Sequence, residues 1–173
     1  MAPSPTRISI FLFGNEARGD DALGEHLHAM LQETFAADPA AYAHIQLILD
    51  FQLAPEHIFD LKSTDCGIFV DAHTDADSGV QWQRVQPGSQ LHFSSHYLPA
   101  ESLLFLYEST FGEPPPPCYL LSLGGESFEL EQTLSATAQQ HLAVAFKLIQ
   151  EKLALLAQSP DSGAPASRIA ESG

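Results

Sequence analysis

Basic residues and cysteines are both scarce in this chain of 173 residues, and each scarcity excludes a class of function. Seven Lys+Arg stand against 22 Asp+Glu, a formal net charge of -15 that repels nucleic-acid phosphates and anionic lipid headgroups. Nucleic acid and membrane are therefore not expected partners, and simple solubility accounts for the acidity. The two cysteines, Cys66 and Cys118, are far apart and form no CxxC pair. Neither a disulfide framework nor a thiolate zinc site is expected, and a reducing cytoplasm is the default location. Long apolar runs are missing too: nothing approaches the roughly 20 uninterrupted apolar residues of a membrane helix. No signal peptide is read at the N-terminus, because the apolar run ending at Phe13 leads into charged residues rather than a small-residue cleavage site.

What is present is a globular composition, 45% hydrophobic, in a chain long enough to bury one core. The expectation is a single α/β domain over residues 1–158 followed by a disordered tail, 159–173, made of Ser, Pro, Gly and Ala. Ile8 to Phe13 is a β-prone run, and Leu23, Leu27, Leu31 and Phe35 then recur at helical spacing. A second strand ends at Asp50, Pro55 opens a short helix, and Cys66 to Ala72 forms a third strand closed by Asp71. Val80 to Val85 alternates and suits an antiparallel edge. Pro99 opens a helix that the prolines 114–117 end, Tyr119 to Leu123 is the last strand, and Leu134 to Leu156 is a long amphipathic helix. Continuous apolar strands alternating with helices imply a three-layer sandwich: a twisted, mostly parallel sheet between helices, with one antiparallel edge strand.

In such a sheet ligands bind beyond the carboxyl ends of the strands. Three polar clusters fall there: the loop Gly14-Asn15-Glu16-Ala17-Arg18-Gly19-Asp20-Asp21, Asp71, and Ser94-Ser95-His96 before the third helix. Taken singly, each has an ordinary explanation. Asp21 is an acid in the first turn of a helix, Asp71 a strand-ending turn former, and His96 one of eight histidines. Taken together, two carboxylates and an imidazole on one rim form a plausible ligand set for nickel or zinc, with positions left open for water or substrate.

Other chemistries lack their parts. There is no G-x-G-x-x-G after the first strand, no G-x-S-x-G and no HExxH. A phosphoryl-accepting receiver would share the acidic pair and the strand-end aspartate, but it needs a lysine after the last strand, where this chain reads Ser122-Leu123-Gly124-Gly125-Glu126. Both cysteines open apolar strands and are expected to be buried and inert.

The residues resemble one family, the hydrogenase maturation proteases. Gly14-Asn15 followed by Arg18-Gly19-Asp20-Asp21-Ala22-Leu23-Gly24 resembles its opening motif, Phe69-Val70-Asp71-Ala72 its second, and Ser95-His96-Tyr97-Leu98-Pro99 its third. The resemblance covers roughly residues 7–157 and implies an endopeptidase that removes the C-terminal extension of a nickel-iron hydrogenase large-subunit precursor once nickel is in place. It implies that Asp21, Asp71 and His96 contact nickel carried by that precursor, the expected partner, and leaves Asp20 without an assigned role. A nickel-sensing chaperone that holds the precursor without cutting it is the alternative. The chain departs from the family at Asp50-Phe51-Gln52-Leu53, where many members carry Asp-Gly-Gly, and in the loop from Gly124 to Leu130. These differences resemble the branch serving cytoplasmic NAD-reducing hydrogenases.

Overall fold

A computed structural model of the chain describes residues 5–92, 98–130 and 133–158. His96 and the tail 159–173 lie outside the described residues. The elements run β1 (Ile8–Phe13), α1 (Leu23–Ala37), β2 (Ile45–Asp50), α2 (His57–Lys62), β3 (Cys66–His73), β4 (Val80–Val85), α3 (Ala100–Phe111), β5 (Cys118–Gly124) and α4 (Ala136–Gln158). Short 3-10 turns, Gly19–Ala22 and Ala76–Ser78, precede α1 and β4.

The strands form one sheet in the order β2-β1-β3-β5-β4. The first four are mutually parallel, and β4 pairs antiparallel with β5. All six residues of β1 are buried, because the strand is flanked on both edges and covered on both faces. Strand alternation sorts its side chains between two cores. Ile8, Ile10 and Leu12 point with Ile68, Val70, Leu121 and Leu123 towards Leu23, Leu27 and Leu31 of α1 and Ala138, Ala145, Ile149 and Leu153 of α4. Phe11 and Phe13 point with Phe69 towards Ile58 and Leu61 of α2 and Leu103, Leu104 and Tyr107 of α3. Each fully buried leucine here contributes about 1.5–3 kcal/mol of transfer free energy.

The result is the expected three-layer sandwich with β4 on its antiparallel edge. β3 and α4 differ in detail from the side-chain pattern. β3 runs one residue past the expected Ala72, to His73, because Asp71, Ala72 and His73 continue the ladder with Ser122, Leu123 and Gly124 of β5. The buried stripe of α4 runs through Ala138, Ala145, Ile149 and Leu153, with Leu142 and Phe146 only partly buried beside it. Among the described residues, no helix is long and apolar enough to cross a membrane.

Candidate functional site

The four parallel strands end at the same edge, and the segment after β1 supplies the first site residue. It folds into a compact turn: Arg18 N–H donates to Asn15 O at 3.0 Å, Asp21 N–H to Arg18 O at 3.0 Å, and Asn15 N–H to Asp21 O at 3.1 Å. The Asn15 side chain belongs to the turn as well, its Oδ1 accepting Ala17 N–H at 3.0 Å. The turn delivers α1 almost against β1. A Cβ on Gly24 would lie 1.9 Å from Phe13 O, so only glycine permits this crossing. The spacing from Gly14 to Gly24 is therefore set by the close passage of a helix start over a strand end.

Asp21 and Asp71 line one cleft of about 480 Å³. Phe13, Phe51, Leu53, Phe69, Leu98 and Leu120 supply its apolar wall, while Arg18, Glu101 and the two aspartates supply charge. Asp71 lies on the α2/α3 face of β3, two residues beyond Phe69, which is buried. Burial pushes its carboxyl up to about 6, and the charge of Asp21 adds to the effect against a hydrogen bond from the Ala72 backbone. Burial also raises Asp21, with the Arg18 guanidinium opposing it. A buried carboxyl raised further by the charge of its neighbour makes a pocket that gains from a proton or a cation.

Among the described residues no group of three His, Cys, Asp or Glu is gathered as a metal site. Two members of the expected triad face the same cleft, and the third, His96, is outside the described residues. Leu98, two positions along the chain from His96, lines the cleft.

With this geometry the known proteins can be compared. The sequence matches no protein-family model and no curated protein. The structure is similar to the hydrogenase maturating endopeptidase HybD from E. coli, with a TM-score of 0.67 and 19% identity over 86% of this chain and 93% of that one. It is also similar to the nickel-iron hydrogenase maturation protease HycI from Thermococcus kodakarensis, with a TM-score of 0.63 and 24% identity over 87% and 94% of the two chains. The hydrogenase 2 maturation peptidase from a Thaumarchaeota archaeon aligns at a TM-score of 0.60 with 18% identity, covering 86% of this chain and 99% of that one. The fold is that of the hydrogenase maturation endopeptidases.

Within that endopeptidase fold, Asp20 plays a part different from that of Asp21. It is 0% exposed. Its carboxylate accepts the N–H groups of Glu126 at 2.7 Å, Ser127 at 3.0 Å and Ser135 at 2.7 Å, and the Ser135 hydroxyl at 2.7 Å. Burial alone would favour the neutral acid, but the hydrogen bonds from Ser127, Ser135 and Glu126 outweigh it and hold Asp20 below the usual carboxylate range. No ligand can reach it. The acidic pair thus divides into one buried anchor and one cleft residue.

Another pair at this edge escaped the sequence reading. His57, 3% exposed, sits edge-on to Phe11 and Phe13 at ring distances of 5.6 and 5.8 Å. Its Nδ1 accepts Ala54 N–H at 2.9 Å, and its Nε2 faces Asp50 Oδ2 at 3.3 Å. Asp50 Oδ1 also accepts Phe51 N–H at 2.6 Å. Together they brace residues 51–54, whose Phe51 and Leu53 form a wall of the cleft. The available signal was the one already used for Asp71, an aspartate ending a parallel strand. Both cysteines are buried, and burial pushes each thiol up to about 12. Neither is a nucleophile at neutral pH.

Proposed function

We propose that this protein is an endopeptidase that removes the C-terminal extension of a nickel-iron hydrogenase large-subunit precursor, acting in the cytoplasm on a precursor already loaded with nickel. The observation that carries the reading is the convergence of Asp21 and Asp71 on one cleft in this fold. Solved proteins that share the fold, HybD from E. coli and HycI from Thermococcus kodakarensis among them, are named as hydrogenase maturation endopeptidases and proteases, and the three sequence motifs support the same reading.

The donor set suits a nickel ion that arrives with its substrate. Two carboxylates with an imidazole from His96 are an incomplete shell for a borderline metal, so the precursor's own ligands complete it. A precursor without nickel leaves Asp21 and Asp71 facing each other, and nickel loading thereby licenses recognition. The ion's charge supplies electrophilic assistance to the scissile carbonyl or acidifies a water molecule. The chain's own contribution is positional. The apolar wall of Phe13, Phe51, Leu53 and Leu98 lowers the local dielectric and holds an extended segment against the acids. Arg18 balances the charge of Asp21.

The experiment is to mix the protein with a nickel-loaded precursor and measure the precursor's mass. The expected result is a shortened large subunit plus a released peptide, with no shortening of nickel-free precursor. Asp71→Asn and His96→Ala each lower the rate by at least about 100-fold, beyond the roughly 10–100-fold typical of groups that only support a metal ligand. A stable complex of unchanged mass would identify a nickel-sensing chaperone instead. Undiminished cleavage by His96→Ala would remove that residue from the site.

A further inference from the structure

We propose that Asp20 is a positioning residue, through which the β5–α4 loop sets the orientation of Asp21 in the cleft; this rests on the reading of Asp21 as a group that contacts the substrate's metal. The connection is made on several atoms at once. Asp20 Oδ2 takes Glu126 N–H, Ser127 N–H and the Ser135 hydroxyl, and Oδ1 takes Ser135 N–H. In return, Asp20 N–H donates to Ser127 O at 2.7 Å. Arg18 Nε reaches Phe128 O at 3.4 Å, so the residue on the other side of Gly19 leans on the same loop. Gly19 itself has φ +53°. A Cβ there would lie 2.6 Å from Ser127 O, so the turn and the loop are in backbone contact.

The short turn converts this anchoring into aim. Successive residues of a 3-10 turn point about 120° apart. With Asp20 directed into the β5–α4 loop, Asp21 is turned away from it and lines the cleft. Among the described residues no hydrogen bond clamps the Asp21 carboxylate itself; its N–H and C=O are held by Arg18 and Asn15, within the same turn. Its direction therefore follows the turn, and the turn follows Glu126, Ser127 and Ser135 of the β5–α4 connection. Ser135 is the keystone of that loop, because its hydroxyl donates to Asp20 while accepting Ala138 N–H at 3.1 Å at the start of α4. A displacement of a reacting group by about 1 Å is enough to cost on the order of 100-fold in rate.

The test compares Ser135→Ala with Ser135→Thr, which keeps the hydroxyl, and with Ile149→Val, which loosens the α4 core without touching Asp20. Two quantities are read: amide hydrogen exchange at Asn15 and Asp21 in the free protein, and the single-turnover cleavage rate against concentration of nickel-loaded precursor. Ser135→Ala is expected to speed exchange at both amides by about tenfold and to lower the maximal rate by about tenfold or more with half-saturation unchanged. Ser135→Thr restores both, and Ile149→Val lowers the melting temperature while moving neither. Should Ser135→Ala fail to fold, Asp20→Asn, which turns one acceptor into a donor, is read in the same way. Wild-type exchange at Asn15 and Asp21 in these variants would overturn the proposal, as would a rate loss equal to that of Ile149→Val. Exchange is measured without substrate, so a wild-type protein that cuts nothing would sink the peptidase reading while leaving this inference to be judged by exchange.

Discussion

Asp20 and Asp71 are the same residue type at the same edge of the sheet, yet their surroundings shift them in opposite directions. Asp71 is raised by burial and by the charge of Asp21, so the ligand-free fold is strained by an ionised group. Above pH 6 the penalty is fully present. As pH falls from about 6 towards the unfolded value near 4, the folded state takes up its proton first and the penalty disappears. Asp71→Asn is thus expected to stabilise the free protein at pH 7 by roughly 1–3 kcal/mol, with the difference closing below about pH 4. Urea unfolding at the two pH values measures it, and equal stabilities at pH 7 would contradict the assignment. Asp20 is depressed, so its contribution is present above the ordinary carboxylate value and is lost as pH falls through its lower folded value. Asp20→Ala leaves buried donors of the β5–α4 loop without a partner, at about 1–3 kcal/mol each. A loss of more than about 3 kcal/mol in the same assay is expected. The motif named both acids of the pair, but it could not say which was the buried anchor and which lined the cleft, because that distinction is made by Glu126, Ser127 and Ser135, more than a hundred positions away.

At the level of elements, apolar spacing was a sufficient guide wherever a residue type has only one natural place. Leu23, Leu27 and Leu31 predicted α1 and are all at 0% exposure, and the alternation of Val80 to Val85 predicted the antiparallel edge that β4 forms. Alanines were less legible. Ala138 and Ala145 form part of the α4 stripe because a small side chain lets the helix approach the sheet, and a stripe read from large apolar side chains passes over them. β3 was underestimated for another reason: its last residues are held by ladder hydrogen bonds to β5, and backbone pairing leaves no trace in side-chain type. The crossing of α1 over β1 yields a sharp prediction. Gly24→Ala puts a methyl group where Phe13 O already sits, and a backbone atom cannot swing aside as a side chain can. Destabilisation of at least about 2 kcal/mol is expected, together with displacement of the turn carrying Asp21 and loss of processing. A variant of wild-type stability would show that the helix start yields freely.

The whole molecule decides what lies together, and here sequence was least informative. Parallel strands and a rim of polar residues could be read directly, but the order β2-β1-β3-β5-β4 depends on which helix covers which face. That order makes β3 the neighbour of β1, and so brings Asp71 to the cleft that Asp21 lines. The two buried thiols offer a probe of the intact sheet, since Cys66 and Cys118 lie on adjacent strands, one in each of the two cores. Labelling by a thiol reagent should proceed only through global opening, at a rate that rises with urea in step with unfolding. Fast labelling of the native protein would contradict the burial of these strands. The clamp on Asp20 also has a consequence in time. Its loop partners begin 106 residues further along the chain. At about 5–20 residues per second, a ribosome needs roughly 5–20 s between making the two ends of that contact. During this interval the emerging polypeptide carries its acidic turn without an anchor. The chain is thus born with its acidic turn loose, and that turn is set only when the last helix docks and brings Ser135 to Asp20.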